Sequence, residues 1–255
     1  MYAEERHQAI VELVASRGRV SVTELASHFE VTSETVRRDL STLERMSLLR
    51  RVHGGAVSAR SLTRIEAQLS DRDQSCAEEK DRIAQAAITL LPPTGCSVLM
   101  DAGSTTARVA ALLPSNAQWT VITHAVPIAA LLAPLAHIEL HLLPGRVRTA
   151  TQAAVGHVTV DALRDFRADV AFIGTNGITV RHGLSTPDPE EAATKRAIVD
   201  SAQRVITVAD STKVGQERTK RFADIEDIDT LVTDSAIDPD ARSAFEAAGV
   251  HVVEA

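Results

Sequence analysis

Seven short apolar runs recurring between residues 97 and 253 constrain this chain more than any other feature. They cover residues 97–100, 119–123, 138–143, 170–173, 205–209, 231–233 and 250–253, and helical patterns separate most of them. Runs of strand length that alternate with helices predict a largely parallel sheet, an α/β domain. Phe, Trp and Tyr make up only 3% of the residues, so Val, Ile, Leu and Ala must build the core. A sheet covered on both faces accepts such a core.

The first 58 residues follow a different pattern. Ala9, Ile10, Leu13 and Val14 share one helical stripe, and Gly18 follows as a stop signal. Ser21 stands three residues before Glu24, the spacing of a capping box that opens a helix through Phe29. Thr32 caps the next helix, predicted to reach about Met46 with Val36, Leu40 and Leu43 on its buried side. Residues 48–57 read as two short strands with a tight turn at Gly54-Gly55, the form of a wing. The whole predicts a winged helix-turn-helix.

Its second paired helix displays Ser33, Glu34, Thr35, Arg37 and Arg38 near its start, where a recognition helix meets base edges and phosphates. Guanidinium groups match guanine and phosphate bidentately, so Arg37 and Arg38 are the expected carriers of affinity and base reading. Arg50, Arg51 and His53 on the wing are expected against backbone or minor groove, and the capping residues Ser21 and Thr32 complete the DNA-facing set. A plainer reading has two adjacent arginines merely solvating a helix face. It leaves unexplained the caps, the helix lengths and the Gly-Gly turn around them.

The net charge of −7 would oppose binding to DNA if it were spread evenly. It is not. Residues 1–58 carry eight Arg against eight Asp or Glu, leaving nineteen basic and twenty-six acidic side chains beyond them. The first region is free to sit on phosphate. The expected organisation is a DNA-binding domain at 1–58, a polar linker at 59–76 in which Leu62, Ile65 and Leu69 permit a short helix, and an α/β domain at 77–255.

The N-terminus has no apolar run of signal-peptide type, and the most apolar stretch, 126–143, is interrupted by Pro127, Pro134, His137, Glu139 and His141. A cytoplasmic protein with no membrane partner is expected. Cys76 and Cys96 are too few, and wrongly spaced, for a metal cluster, so no metal and no cofactor is expected.

Three polar clusters lie where the α/β pattern turns from strand to helix. Asp101-Ala102-Gly103-Ser104-Thr105-Thr106 leaves one strand and precedes a helix expected from about Ala107 to Leu113; a helix N-terminus with glycine and hydroxyls offers donors to a phosphate. Plain capping is the simpler reading of that loop alone. Gly174-Thr175-Asn176-Gly177 leaves a second strand as an exposed turn, and Asp210-Ser211-Thr212-Lys213 leaves a third. Strand C-terminal ends are where open α/β sheets bind ligands. Glu191 and Lys195 lie one turn apart on a helix beginning near Asp188, in the simplest case a surface ion pair. Arg146 and Arg148 follow Pro144-Gly145, where they could add charge at a pocket rim.

The order Arg6, Ile10, Val14, Thr32, Thr35, Val36, Arg37, Arg38, Asp39, Leu40, then Arg51-Val52-His53-Gly54-Gly55-Ala56, resembles the N-terminal signature of the DeoR family of bacterial regulators. Ser47 departs from it, standing where the family often has Gly. Residues from about Ala77 to Asp234 also resemble that family's sensor domain, which shares its fold with ribose-5-phosphate isomerase, in segments 101–106, 174–178, 183–188, 191–195 and 210–213. The resemblance implies that Gly103, Ser104, Thr105 and Thr106 hold a phosphate, and that Asn176, Glu191, Lys195, Asp210 and Lys213 line the sugar side. His124 stands where relatives often have Asn.

By the same resemblance the chain is closest to repressors of phosphotransferase-system sugar operons, those for fructose or lactose. It implies a repressor released from operator DNA by a phosphorylated sugar, with fructose 1-phosphate and galactose or tagatose 6-phosphate as candidates, and acting as a dimer or tetramer. The alternative is a sugar-phosphate isomerase or deaminase using Asp101, Glu191 and Lys213 as acid or base.

Overall fold

The computed structural model describes residues 3–17, 19–46, 48–52, 54–58, 69–92 and 95–255. The chain divides into two compact units, Met1–Arg64 and Ile65–Ala255.

In the first unit the described elements are α1 (Ala3–Arg17), β1 (Arg19–Ser21), α2 (Val22–Phe29), α3 (Ser33–Arg45), β2 (Leu49–Val52) and β3 (Gly55–Ser58). Both expected caps are present. Ser21 and Glu24 form a reciprocal capping box, and the Thr32 side chain accepts from the Thr35 N–H. Ile10, Val14, Val36, Leu40 and Leu43 meet Val20, Leu25, Phe29, Leu49 and Ala56 in one apolar core. Each Val, Leu, Ile or Phe side chain buried there contributes about 1.5–3 kcal/mol relative to exposure. A strand absent from the sequence reading, β1, pairs with β3 and makes the wing three-stranded, in the order β1-β3-β2. The two glycines have separate causes. Gly54 takes a left-handed φ of 75°, while a Cβ on Gly55 would stand 2.0 Å from the Val20 carbonyl oxygen, so the β1–β3 approach admits only glycine there.

The second unit opens with α4 (Leu69–Gln74) and α5 (Ala77–Ile88). It continues as β4 (Ser97–Met100), α6 (Ser104–Ala111), β5 (Trp119–Thr123), α7 (Val126–Leu132), β6 (Ile138–Leu142), β7 (Arg146–Arg148), β8 (Ala153–Val155) and α8 (His157–Leu163). Then follow β9 (Ala168–Ile173), β10 (Gly177–Thr179), β11 (Gly183–Thr186), α9 (Pro189–Asp200), β12 (Ala202–Val208), β13 (Lys220–Ala223), β14 (Thr230–Thr233), α10 (Pro239–Ala247) and β15 (His251–Glu254). The helix α4 lies in the segment read from sequence as linker, yet it packs on α6 within this unit.

All seven apolar runs are strands of one sheet, ordered β15-β14-β12-β9-β4-β5-β6 and parallel at every pairing. Separate apolar cores cover its two faces. The chain starts in the middle at β4, winds outward through β5 and β6, then returns to the other side of β4 as β9. Winding therefore reverses between β4 and β9, and the loops leaving those neighbours diverge to open a crevice at their C-terminal ends. Among the described residues, no helix is long and apolar enough to cross a membrane.

Candidate functional site

In the first unit α3 buries Val36, Leu40 and Leu43 and leaves Ser33, Glu34, Arg37 and Arg38 exposed, with Thr35 half-buried. The caps account for Ser21 and Thr32, whose side-chain oxygens accept from the Glu24 and Thr35 N–H groups at 3.1 and 3.2 Å. Arg37 reaches Glu34 at 3.3 Å, an exposed pair that is readily given up for a phosphate or base. Arg51 lies against the same helix, its backbone N–H donating to Glu44 and its guanidinium to Ser41 Oγ at 2.7 Å. Arg50 lies in β2, and His53 is outside the described residues. Beneath this surface Asp39 accepts from Arg6 Nε at 2.6 Å and from His7 at 2.9 Å. Burial opposes ionisation of Asp39, but these hydrogen bonds outweigh it and hold the carboxyl below its ordinary value.

In the second unit the crevice between β4 and β9 is lined by the Gly103–Thr106 loop, Gly174, Thr175, Asp210 and Lys213, joined by Arg72, Ser75 and Lys80. The helix α6 begins at Ser104, three residues earlier than expected, because Gly103 is its N-cap and carries no side chain to cap it. Its first-turn N–H groups consequently stay available, at the positive end of the helix dipole, beside the buried hydroxyls of Ser104, Thr105 and Thr106. Capping by a hydroxyl residue is thus not what this loop does. Lys213 stands 3.6 Å from Asp210, half-exposed at the rim. The turn that carries it is pinned from below, where Asp234 accepts from the Ser211 N–H at 2.7 Å.

Asp101 and His124 lie under this crevice instead of facing it. Asp101 is fully buried; Oδ2 accepts from the Lys195 ammonium and from the Gly174 N–H at 2.9 Å, tying the β4 loop to the β9 loop. Burial opposes its charge, but Lys195 and His124 more than offset this and bring the carboxyl down to about 2. His124 Nδ1 lies 2.8 Å from the Ala154 carbonyl, and Nε2 faces both the Ala102 N–H at 3.1 Å and Asp101 Oδ1 at 3.2 Å. The ring braces the loop from behind.

Glu191 and Lys195 do share a face of α9, but that face is buried and they do not pair with each other. Lys195 turns to Asp101 and to the Gly174 carbonyl, while Glu191 meets Arg148, which also reaches Asp188 at 3.2 Å. Arg148 is therefore a largely buried partner of two carboxylates, whereas Arg146 is exposed and pairs with Glu190. Asn176 accepts from Thr186 Oγ1 at 3.0 Å beside this cluster. Gly177 corrects the expectation of an exposed turn: it lies buried in β10, where a Cβ would meet the Gln216 carbonyl oxygen at 2.4 Å, so close packing of backbone explains it.

Lys80 was missed in the sequence. It projects from α5 on the face of Ile83, Ala84 and Ala87, is buried, and donates to the carbonyls of Arg72 and Ser75, the latter at 2.6 Å. A charged residue at the i, i+3, i+4, i+7 positions of an apolar stripe was the signal that could have found it.

A winged helix-turn-helix on the same chain as a parallel α/β domain defines the class of two-domain transcriptional regulators. Family models place it further: the DeoR-like helix-turn-helix domain matches residues 6–62, and the DeoR C terminal sensor domain matches residues 75–235. The chain belongs to the DeoR family. It is 37% identical over 254 residues to the HTH-type transcriptional regulator GlpR of Haloferax volcanii, covering 100% of this chain and 98% of that one. It is 34% identical to the uncharacterized regulator FruR of Bacillus subtilis, covering 92% of each, and 32% identical to the glycerol-3-phosphate regulon repressor of Escherichia coli, covering 91% and 90%. Over 55% of each chain it superposes on ribose 5-phosphate isomerase A of Methanocaldococcus jannaschii with a TM-score of 0.41 and 17% identity. Membership in a family of regulators sets aside the enzyme alternative, and the fully engaged carboxylate of Asp101 offers no free acid or base.

Proposed function

We propose that this protein represses an operon for uptake or breakdown of a sugar, and that a phosphorylated sugar bound between β4 and β9 releases it from operator DNA. The observation that carries the reading is the uncapped start of α6, with its free N–H groups and three hydroxyls, set between the ammonium groups of Lys80 and Lys213. Fixed donors and two cations around a small polar crevice favour a dianionic phosphate over a neutral sugar. Lys195, bonded to the Gly174 carbonyl, and Asn176 and Glu191, both in reach of Thr186, serve the sugar side directly or by fixing its walls.

The names of the relatives point the same way, since one is a glycerol-3-phosphate regulon repressor and another is called FruR. Fructose 1-phosphate and galactose or tagatose 6-phosphate remain the effectors to test first. One helix-turn-helix reads only a half-site, so the repressor acts as a dimer or tetramer on a paired operator. We assign DNA binding to residues 1–58, effector sensing to residues 77–255 and the connection to residues 59–76, whose helix α4 packs with the sensing unit.

A ligand shifts a repressor off DNA only if it binds the DNA-competent and DNA-incompetent arrangements unequally. The test is a gel-shift titration of operator complex with a panel of sugar phosphates and the matching free sugars. Release by one phosphorylated sugar at micromolar to millimolar concentration, and by none of the free sugars, is expected. Insensitivity to every phosphosugar removes the inducer.

A further inference from the structure

We infer that α4 is a latch held shut by the same ammonium that would bind the effector's phosphate, so that an anion in the crevice unfastens it. The inference rests on the anion reading of the crevice given above and adds the means by which occupancy leaves the sensor unit.

The short helix α4 has one apolar residue, Leu69, and that residue belongs to neither apolar core of the unit. Polar contacts hold it instead. Lys80 donates to the carbonyls of Arg72 and Ser75 at its C-terminal turn, and Ser104 Oγ reaches the Arg72 carbonyl at 3.4 Å. Arg108, on the helix whose start forms the phosphate loop, pairs with the Asp73 side chain, donates to the Asp73 carbonyl at 3.1 Å and bridges to Asp81 at 2.7 Å. The Leu69 N–H bond to the Ala150 carbonyl, 3.0 Å, anchors the other end.

Two of the Lys80 N–H groups thus serve α4, and Ser104 divides its hydroxyl between α4 and the crevice. An incoming phosphate asks for both. A phosphate dianion attracts the ammonium as a full opposite charge, where the carbonyls offer only dipoles, so the anion draws Lys80 away and α4 keeps the Arg108 contacts of Asp73 at its C-terminal turn. Burial already pushes the Lys80 ammonium downward, and a dianion beside it relieves that cost, whereas two carbonyls relieve it only in part. Six residues without apolar anchorage do not keep helical form alone. In chain order α4 is the first described element after the DNA-binding unit, so its release changes how that unit is tethered.

The experiment follows hydrogen exchange in the full-length protein with and without inorganic phosphate, at matched ionic strength, alongside thermal unfolding. Expected are a rise in Tm together with about tenfold faster exchange of the amides at 69–76. A rise in Tm with exchange there unchanged or slowed overturns the latch and leaves the crevice as an anion site. No rise in Tm with phosphate or with any sugar phosphate overturns the anion reading and the latch together. Asp73→Ala, at an exposed position outside the crevice, supplies the reciprocal check. With its pair to Arg108 gone, α4 is held less firmly against α6, and Lys80 should bind phosphate about fivefold more tightly, since coupling runs equally in both directions. Unchanged or weaker phosphate binding in that variant overturns the coupling.

Discussion

Lys195 and Asp101, 94 residues apart in sequence, form a buried ion pair that closes the floor of the crevice, one from helix α9 and the other from the end of β4. The pair also fixes backbone: Asp101 takes the Gly174 N–H and Lys195 takes the Gly174 carbonyl, so the loop after β9 is held at both its donor and its acceptor. The shape of the site and the stability of the unit are therefore joined at one contact.

Breaking that contact from one side should cost far more than replacing it. Lys195→Met leaves a carboxylate in the interior without its cation, and a loss of about 3–5 kcal/mol is expected in urea unfolding. The double variant Asp101→Leu, Lys195→Met removes both charges and should recover a large part of that loss. A double variant no more stable than Lys195→Met would show that the Gly174 contacts, not the charge pair, dominate.

The same pair sets the acid limit of the sensor unit. Asp101 titrates near 2 in the folded protein against an ordinary 3.8. The folded state thus favours the ionised form, and this contribution is present in full above the ordinary value and fades as the pH falls through about 2. Asp39 acts in the same direction in the DNA-binding unit. Urea midpoints of the wild type should fall steeply between pH 4 and pH 2, and those of the Asp101→Leu, Lys195→Met variant should fall less for the sensor transition. Parallel curves would place the acid sensitivity in other carboxylates.

Arg6 and Asp39 belong to the sequence signature of the family, yet the structure gives them to the interior, where they join α1 to the back of α3. Asp39→Ala should therefore unfold the DNA-binding unit, by about 3–5 kcal/mol, because it strands the Arg6 guanidinium. Circular dichroism of the purified variant separates this from a lost DNA contact: native helix content with weak operator binding would mean that Asp39 serves the interface after all.

The parts of this protein that were legible in its sequence are those governed by local periodicity. All seven sheet strands announced themselves as apolar runs, and the caps at Ser21 and Thr32 followed from one side chain and its spacing to a backbone N–H. Three-residue strands, such as β1, β7 and β10, were not visible, since their pairing depends on partners elsewhere. The site divides in the same way. The loop at Gly103–Thr106 could be read locally. The fates of Glu191 and Lys195 could not, because spacing shows that two residues share a face and not that Arg148 and Asp101 wait opposite it. Lys80 was hidden for a related reason: its partners are backbone carbonyls of a helix with almost no apolar signal.

Two solvent-accessible cations test the proposed division between operator binding and effector binding. Arg37 lies on the open face of α3 with only a surface partner, so Arg37→Ala should leave both units folded while costing about 1–3 kcal/mol of operator affinity. Its Tm should still rise with the effector, by the equivalent of about 2.7 kcal/mol at a hundredfold excess over Kd. Lys213 is the mirror case. Its contact with Asp210 is partly exposed and 3.6 Å long, so Lys213→Ala should barely change the unliganded Tm while weakening phosphosugar binding about tenfold. Without effector that variant should hold operator as the wild type does, and it should need correspondingly more sugar phosphate to let go. Gel shifts and thermal unfolding on the same two preparations decide the matter: if Arg37→Ala blunts the thermal response, or Lys213→Ala weakens operator binding in the absence of ligand, then the division of labour between the units is wrong.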